Sequence, residues 1–140
     1  MSDQKVFKYT LEHYRKEGVS EEAFVKWFRE EHLPYGVPLM KKHGITKYAA
    51  HYRSPPLADA FHAILGQIRP TWEISKADLV LEYWMPSLDC LKNLVTDPEW
   101  NEMAADGEAN WIDMSRSTIH VGYETAHLEN GNFFDFAEKK

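Results

Sequence analysis

Residues 6–34 read VFKYTLEHYRKEGVSEEAFVKWFREEHLP, and the hydrophobic period changes once within them. From Val6 to Tyr14 the side chains alternate, with Phe7, Tyr9, Leu11 and His13 facing one way and Lys8, Thr10, Glu12 and Tyr14 the other, the period of two that a half-buried strand requires. Gly18 interrupts the pattern. Ser20 followed by Glu21 and Glu22 supplies a capping side chain and acidic residues placed well for a helix N-terminus. Phe24, Trp27 and Phe28 then recur at helical spacing, and the i+4 rule extends their row to His32, just before Pro34. Pro34 and Pro38 are expected to perturb the next segment, leaving a helical turn or two through Lys42 before Gly44.

The same β-then-α order returns downstream. Ile45 to Arg53 alternates Tyr48, Ala50 and Tyr52 against Lys47, Ala49, His51 and Arg53, and Pro55-Pro56 stops it. Residues 55–76 read as an insertion with a short helical piece over Leu57–Leu65. It carries too many apolar groups for a disordered loop and is expected to act as a lid or wall. Ala77 to Trp84 is a dense apolar strand with Glu82 embedded in it. Leu88 to Thr96 is a second helix, Asp97-Pro98-Glu99-Trp100 starts another, and Ser117 to Ala126 is a fourth strand. Residues 127–140, with Phe133, Phe134 and Phe136, form an aromatic C-terminal tail expected to dock on a partner or over a pocket. The order β-α-β, β-α-β predicts an α+β, ferredoxin-like split βαβ: four antiparallel strands with helices on one face. The open face of such a sheet needs covering. A homodimer forming a dimeric α+β barrel, each subunit with its own cavity between sheet and helices, is the expected solution.

With 140 residues the chain is sized for one domain. No run approaches the ~20 apolar residues of a membrane span, and Met1-Ser2-Asp3-Gln4-Lys5 leads into patterned sequence without a secretory h-region, so a cytoplasmic protein is expected. Cys90 is the single cysteine, which excludes an intrachain disulfide. A net charge of −6 without Lys or Arg runs offers no footprint for nucleic acid or an anionic membrane. Phosphate-binding glycine loops, G-x-S-x-G and H-E-x-x-H are all missing, so no cofactor and no metal are expected. What stands out is five Trp, seven Tyr, seven Phe and seven His in so short a chain.

Residues 14–24 (YRKEGVSEEAF), Trp27 and Glu31-His32-Leu33-Pro34 resemble the opening of EthD-domain proteins. Residues 78–84 (DLVLEYW) are similar to that family's third strand, and 97–100 (DPEW) to the helix start after it. The insertion and residues 115–124 (SRSTIHVGYE) most resemble a fungal subgroup from aromatic polyketide pathways whose members are decarboxylases or dehydratases, the atrochrysone carboxylic acid decarboxylases among them. The resemblance implies a cofactor-free lyase, most simply a decarboxylase of a polycyclic phenolic or β-keto acid. A dehydratase or cyclase, or a non-catalytic accessory protein, is the alternative.

On this reading His32 is the expected proton donor and His51 the group that steadies a developing oxyanion. Arg53, on the same strand face as His51, can meet a carboxylate through two parallel hydrogen bonds. His13 closes the Phe7-Tyr9-Leu11 row as a pocket residue, while His120 points away from Ile119, Val121 and Tyr123. Glu82 needs a partner or a wet surface if it is ionised. Tyr9, Trp27, Trp84 and Trp100 are expected to line the ring site, with the insertion closing over it.

Overall fold

The computed structural model describes residues 6–135, so Phe136 of the aromatic tail and the first five residues lie outside the described residues. The chain runs β1 (Val6–His13), α1 (Glu21–Trp27), a π-helical turn (Phe28–His32), α2 (Leu33–Lys42), β2 (Lys47–Tyr52), α3 (Pro55–Leu65), β3 (Leu79–Met85) and α4 (Leu88–Val95). A second π-helical turn (Trp100–Ala105) and two short 3₁₀ turns (Glu108–Asn110, Met114–Arg116) lead into β4 (Thr118–Glu124), and a small hairpin, β5 (Leu128–Glu129) with β6 (Asn132–Phe133), comes last. The main sheet is antiparallel with order β2-β3-β1-β4. This is the expected ferredoxin-like arrangement, with helices on one face.

Local chemistry explains the first unit. Ser20 is extended and its hydroxyl accepts the Ala23 N–H at 3.1 Å, capping α1 as the sequence predicted. Pro34 does not end the helix. It occupies the first turn of α2, where its missing N–H deprives the helix of one bond, and the preceding turn has widened so that the Leu33 N–H reaches the Phe28 carbonyl five residues back. Helix then continues through Pro38 to Lys42, and Gly44, at φ +87°, makes the left-handed exit.

Register assigns each strand residue to a face. Tyr9 opposes Tyr83, Leu11 opposes Leu81 and His13 opposes Leu79, and across β2 Tyr48, Ala50 and Tyr52 meet Tyr83, Leu81 and Leu79. This is the inner face, packed against α1, α2 and the second π turn around Phe24, Phe28, Met40, Leu94 and Ile112. The outer face is more polar than the strand pattern alone suggests. Lys8 bridges Glu82 and Glu124 at 3.0 Å each, and Trp84, whose Nε1–H donates to Glu124 at 2.6 Å, is covered by the Lys8 and Lys47 ammonium groups at 4.4 and 4.5 Å.

The unburied apolar surface lies elsewhere. No residue of α3 is buried, although it carries Leu57, Phe61 and Ile64, and Ile119 and Val121 of β4 are exposed although they sit on the inner face opposite Leu11 and Tyr9.

Candidate active site

A cavity of about 270 Å³ lies between the inner face and the helices, lined by Tyr9, His13, Trp27, His32, Trp100 and Glu108 among others. Tyr9 and Tyr83 stack at 4.4 Å and 10° to form its floor. Burial raises the pKa of both phenols, so they remain hydrogen-bond donors.

His32 ends the first π turn, and its ring is clasped by Phe28 (centroids 5.4 Å apart), Trp27 (5.5 Å) and Trp100 (6.0 Å). Its Nδ1 lies 3.1 Å from the Ala104 carbonyl, in the second π turn. A carbonyl only accepts, so Nδ1 carries the hydrogen and the neutral ring keeps its lone pair on Nε2. Burial lowers the His32 pKa below its ordinary value despite that bond. At neutral pH its ring is therefore uncharged, with the lone pair on Nε2. Gly36 makes room for this arrangement, because a Cβ there would stand 3.3 Å from the Trp100 ring and 3.7 Å from His32 Nε2.

Glu108 is a residue that no sequence pattern singles out. Its carboxylate comes within 3.9 Å of His32 Nδ1, its side chain is 19% exposed, and burial raises its pKa to about 7. Its position is set from a distance. Gly107, at φ +85°, turns the chain into the Glu108–Asn110 turn. Trp111 then stacks on Trp27 at 5.7 Å and 9°, the Lys16 N–H donates to the Trp111 carbonyl at 2.9 Å, and Arg15 bridges to Ile112. Arg15 is itself anchored by a 2.9 Å ion pair with Asp78.

His13 faces the same cavity, 2.8 Å from the Ser117 hydroxyl, and burial together with the proximity of His32 lowers its pKa to about 4. It is neutral across the physiological range and serves as a hydrogen-bonding wall.

Three expected residues lie elsewhere. His51 pairs with Val80 on the outer face, so the sheet separates it from His32. Arg53, whose Nε is buried without a hydrogen bond, joins His51 in a groove of about 400 Å³ beside α3 with Leu57, Phe61 and Ile74. Trp84 belongs to the outer-face charge network. Residues 55–76 contribute nothing to the wall of this cavity, so the insertion does not close over the chain's own site. Glu82 and His120 are on the outer face as well. Among the described residues no group of His, Cys, Asp and Glu side chains is arranged to hold a metal ion.

Comparison with known proteins agrees with this architecture. The chain is 43% identical over 139 residues to the Dehydratase iacD of Pestalotiopsis fici, covering 99% of this chain and all of that one. It is 23% identical over 137 residues to a protein named Decarboxylase from Emericella nidulans, covering 93% of this chain and 84% of that one. Among solved structures, an ethyl tert-butyl ether d (EthD) family protein from Bacillus halodurans superposes with a TM-score of 0.53 at 17% identity, covering 86% of this chain and 99% of that one. A dimeric protein of ferredoxin-like fold from Bacteroides fragilis gives 0.51 at 13% identity, covering 86% and 96%. The EthD domain model matches residues 16–115, and the chain belongs to the EthD-domain family.

Proposed function

We propose that the chain is a cofactor-free lyase that removes water from a phenolic, polyketide-type substrate, with His32 as base and Glu108 as acid. The observation that carries this reading is the juxtaposition, 3.9 Å apart in an aromatic cavity, of a neutral imidazole and a carboxyl that burial keeps protonated to about pH 7. Elimination of water from a β-hydroxy carbonyl needs both at once. His32 Nε2 takes the proton on the carbon beside the carbonyl, the electron pair forms the new double bond, and the C–O bond breaks as the hydroxyl accepts the Glu108 proton and leaves as water. The Tyr9 and Tyr83 phenols donate to the oxygen on which negative charge develops. The imidazolium and carboxylate that remain stabilise each other, and the starting forms are restored when Nε2 releases its proton to water and the Glu108 carboxylate takes one up as product leaves.

The cavity volume, about 270 Å³, falls between the roughly 150 Å³ that holds one benzene ring and the roughly 300 Å³ at which drug-sized pockets begin, so it suits one or two rings rather than a larger fused system. The similarity to a dehydratase over the full length of both chains supports the reading.

Decarboxylation is the second reading, supported by the relative of that name. There the same protonated Glu108 would deliver a proton to carbon after CO₂ departs. Incubating the protein with a substrate bearing both a β-hydroxyl and a carboxyl group, followed by mass spectrometry, separates the two. Loss of water is the expected result. Loss of CO₂ alone favours the second reading, and binding without turnover sinks both.

A further inference from the structure

We propose that α3 is a lid in trans: it docks on the β4 surface of a second copy of this chain and completes the wall of that copy's cavity. An isolated helix of fewer than about 12–15 residues is marginal in water and needs an apolar face packed against something. Helix α3 has 11 residues, none of them buried, and exposes Leu57 (71%), Phe61 (57%) and Ile64 (67%) at i, i+4 and i+7, with Ile68 (59%) continuing the row beyond its end. The chain also carries a second apolar strip that its own helices leave uncovered: Met114 (52%), Ile119 (67%) and Val121 (57%). Ile119 and Met114 line the cavity, so whatever covers the strip also closes the cavity.

Topology matches the two surfaces. In the order β2-β3-β1-β4 the free edges are β2 and β4. A twofold axis that sets the β2 edge of one copy against the β4 edge of the other uses both free edges, and this is the arrangement proposed. Helix α3 starts three residues after β2 ends, so it arrives beside the partner's β4. The contact is self-complementary, as a twofold interface requires: helix on strip occurs twice by symmetry. At roughly 100 Å² of apolar surface from each of these seven residues on each copy, the pair buries about 1,400 Å², within the range of ~1,200–2,000 Å² for stable assemblies. Two proteins sharing this fold are described as dimeric. The inference is independent of which reaction the cavity runs.

Sedimentation velocity on the full chain at micromolar concentration tests it, with Phe61→Glu and Ile119→Glu as variants. Because neither side chain is buried, both variants keep the monomer fold, which circular dichroism checks. Wild type is expected to sediment as a dimer and each variant as a monomer. In a Cys90→Ser background, Phe61→Cys combined with Ile119→Cys is expected to give an inter-copy link between positions 61 and 119 with a short bis-maleimide, identified by peptide mapping. A monomeric wild type, a dimer indifferent to both glutamates, or links joining only position 61 to position 61 overturns the proposal.

Discussion

Glu108→Gln is the substitution whose two consequences run in opposite directions. Glutamine keeps the shape of a protonated glutamic acid but cannot give up a proton in the reaction, so turnover is expected to fall by about 100- to 10,000-fold, the usual contribution of a general acid. Stability moves the other way. The carboxyl titrates at about 7 in the folded chain against an ordinary 4.5, so between those values the folded state holds a proton that the unfolded state has released. Its contribution is fully present below pH 4.5, falls as pH rises, and is lost once pH passes 7. At ~1.4 kcal/mol per unit, the shift makes wild type lose up to about 3 kcal/mol over that interval, a loss the glutamine variant escapes. Urea unfolding of both proteins at a series of pH values from 4 to 8 measures this directly. The variant should match wild type at the acid end and exceed it increasingly toward pH 8. Equal pH dependence of the two proteins, or undiminished turnover in the variant, would refute the assignment.

The activity profile of wild type is set by the same groups. It should rise as His32 loses its proton below its ordinary pKa and decline as Glu108 ionises near pH 7, placing the optimum on the acid side of neutrality, read from the pH dependence of kcat/KM. His32→Gln should reduce kcat by at least 100-fold while the fold survives, as checked by near-ultraviolet circular dichroism. Gly36→Ala gains about 1 kcal/mol of helix propensity but pushes a Cβ to 3.3 Å from Trp100, so turnover should drop several-fold while thermal stability changes little. His51→Ala, on the far side of the sheet, should leave kcat within about twofold, and a larger loss would argue that the outer face takes part in the chemistry.

What the sequence made legible is what local physics decides. The alternation of β1, the Ser20 cap and the i+4 row from Phe24 through Phe28 to His32 all act within a few residues, and each is present in the fold. Strand parity in β2 holds more information than the expectation for His51 and Arg53 used. Tyr48, Ala50 and Tyr52 alternate with Lys47, Ala49 and His51, and the aromatic side is the one that packs inward, which already separates His51 and Arg53 from the cavity. Glu108 was hidden for a different reason. It sits in a polar stretch, Ala105-Asp106-Gly107-Glu108-Ala109-Asn110, with no period to read, and it is buried by contacts formed some eighty to a hundred residues away in sequence, the Trp27–Trp111 stack and the Arg15–Ile112 bridge. Insertion 55–76 was legible as apolar and structured, but whether it covers its own chain or another is a property of assembly.

The wide turn at Phe28–His32 acts as a phase shifter in the helix that contains it. Each residue of an α-helix advances the side-chain direction by about 100°, so the length of this turn decides where the histidine and everything after it aim. Removing one exposed residue there, such as Arg29, would let the helix regularise and would cost little as a local change. It would nonetheless swing either His32 away from Glu108 or the whole of α2, with Gly36, away from Trp100. Substitutions on the solvent side of that turn leave this geometry in place, whereas a change in its length re-aims the histidine that faces the cavity.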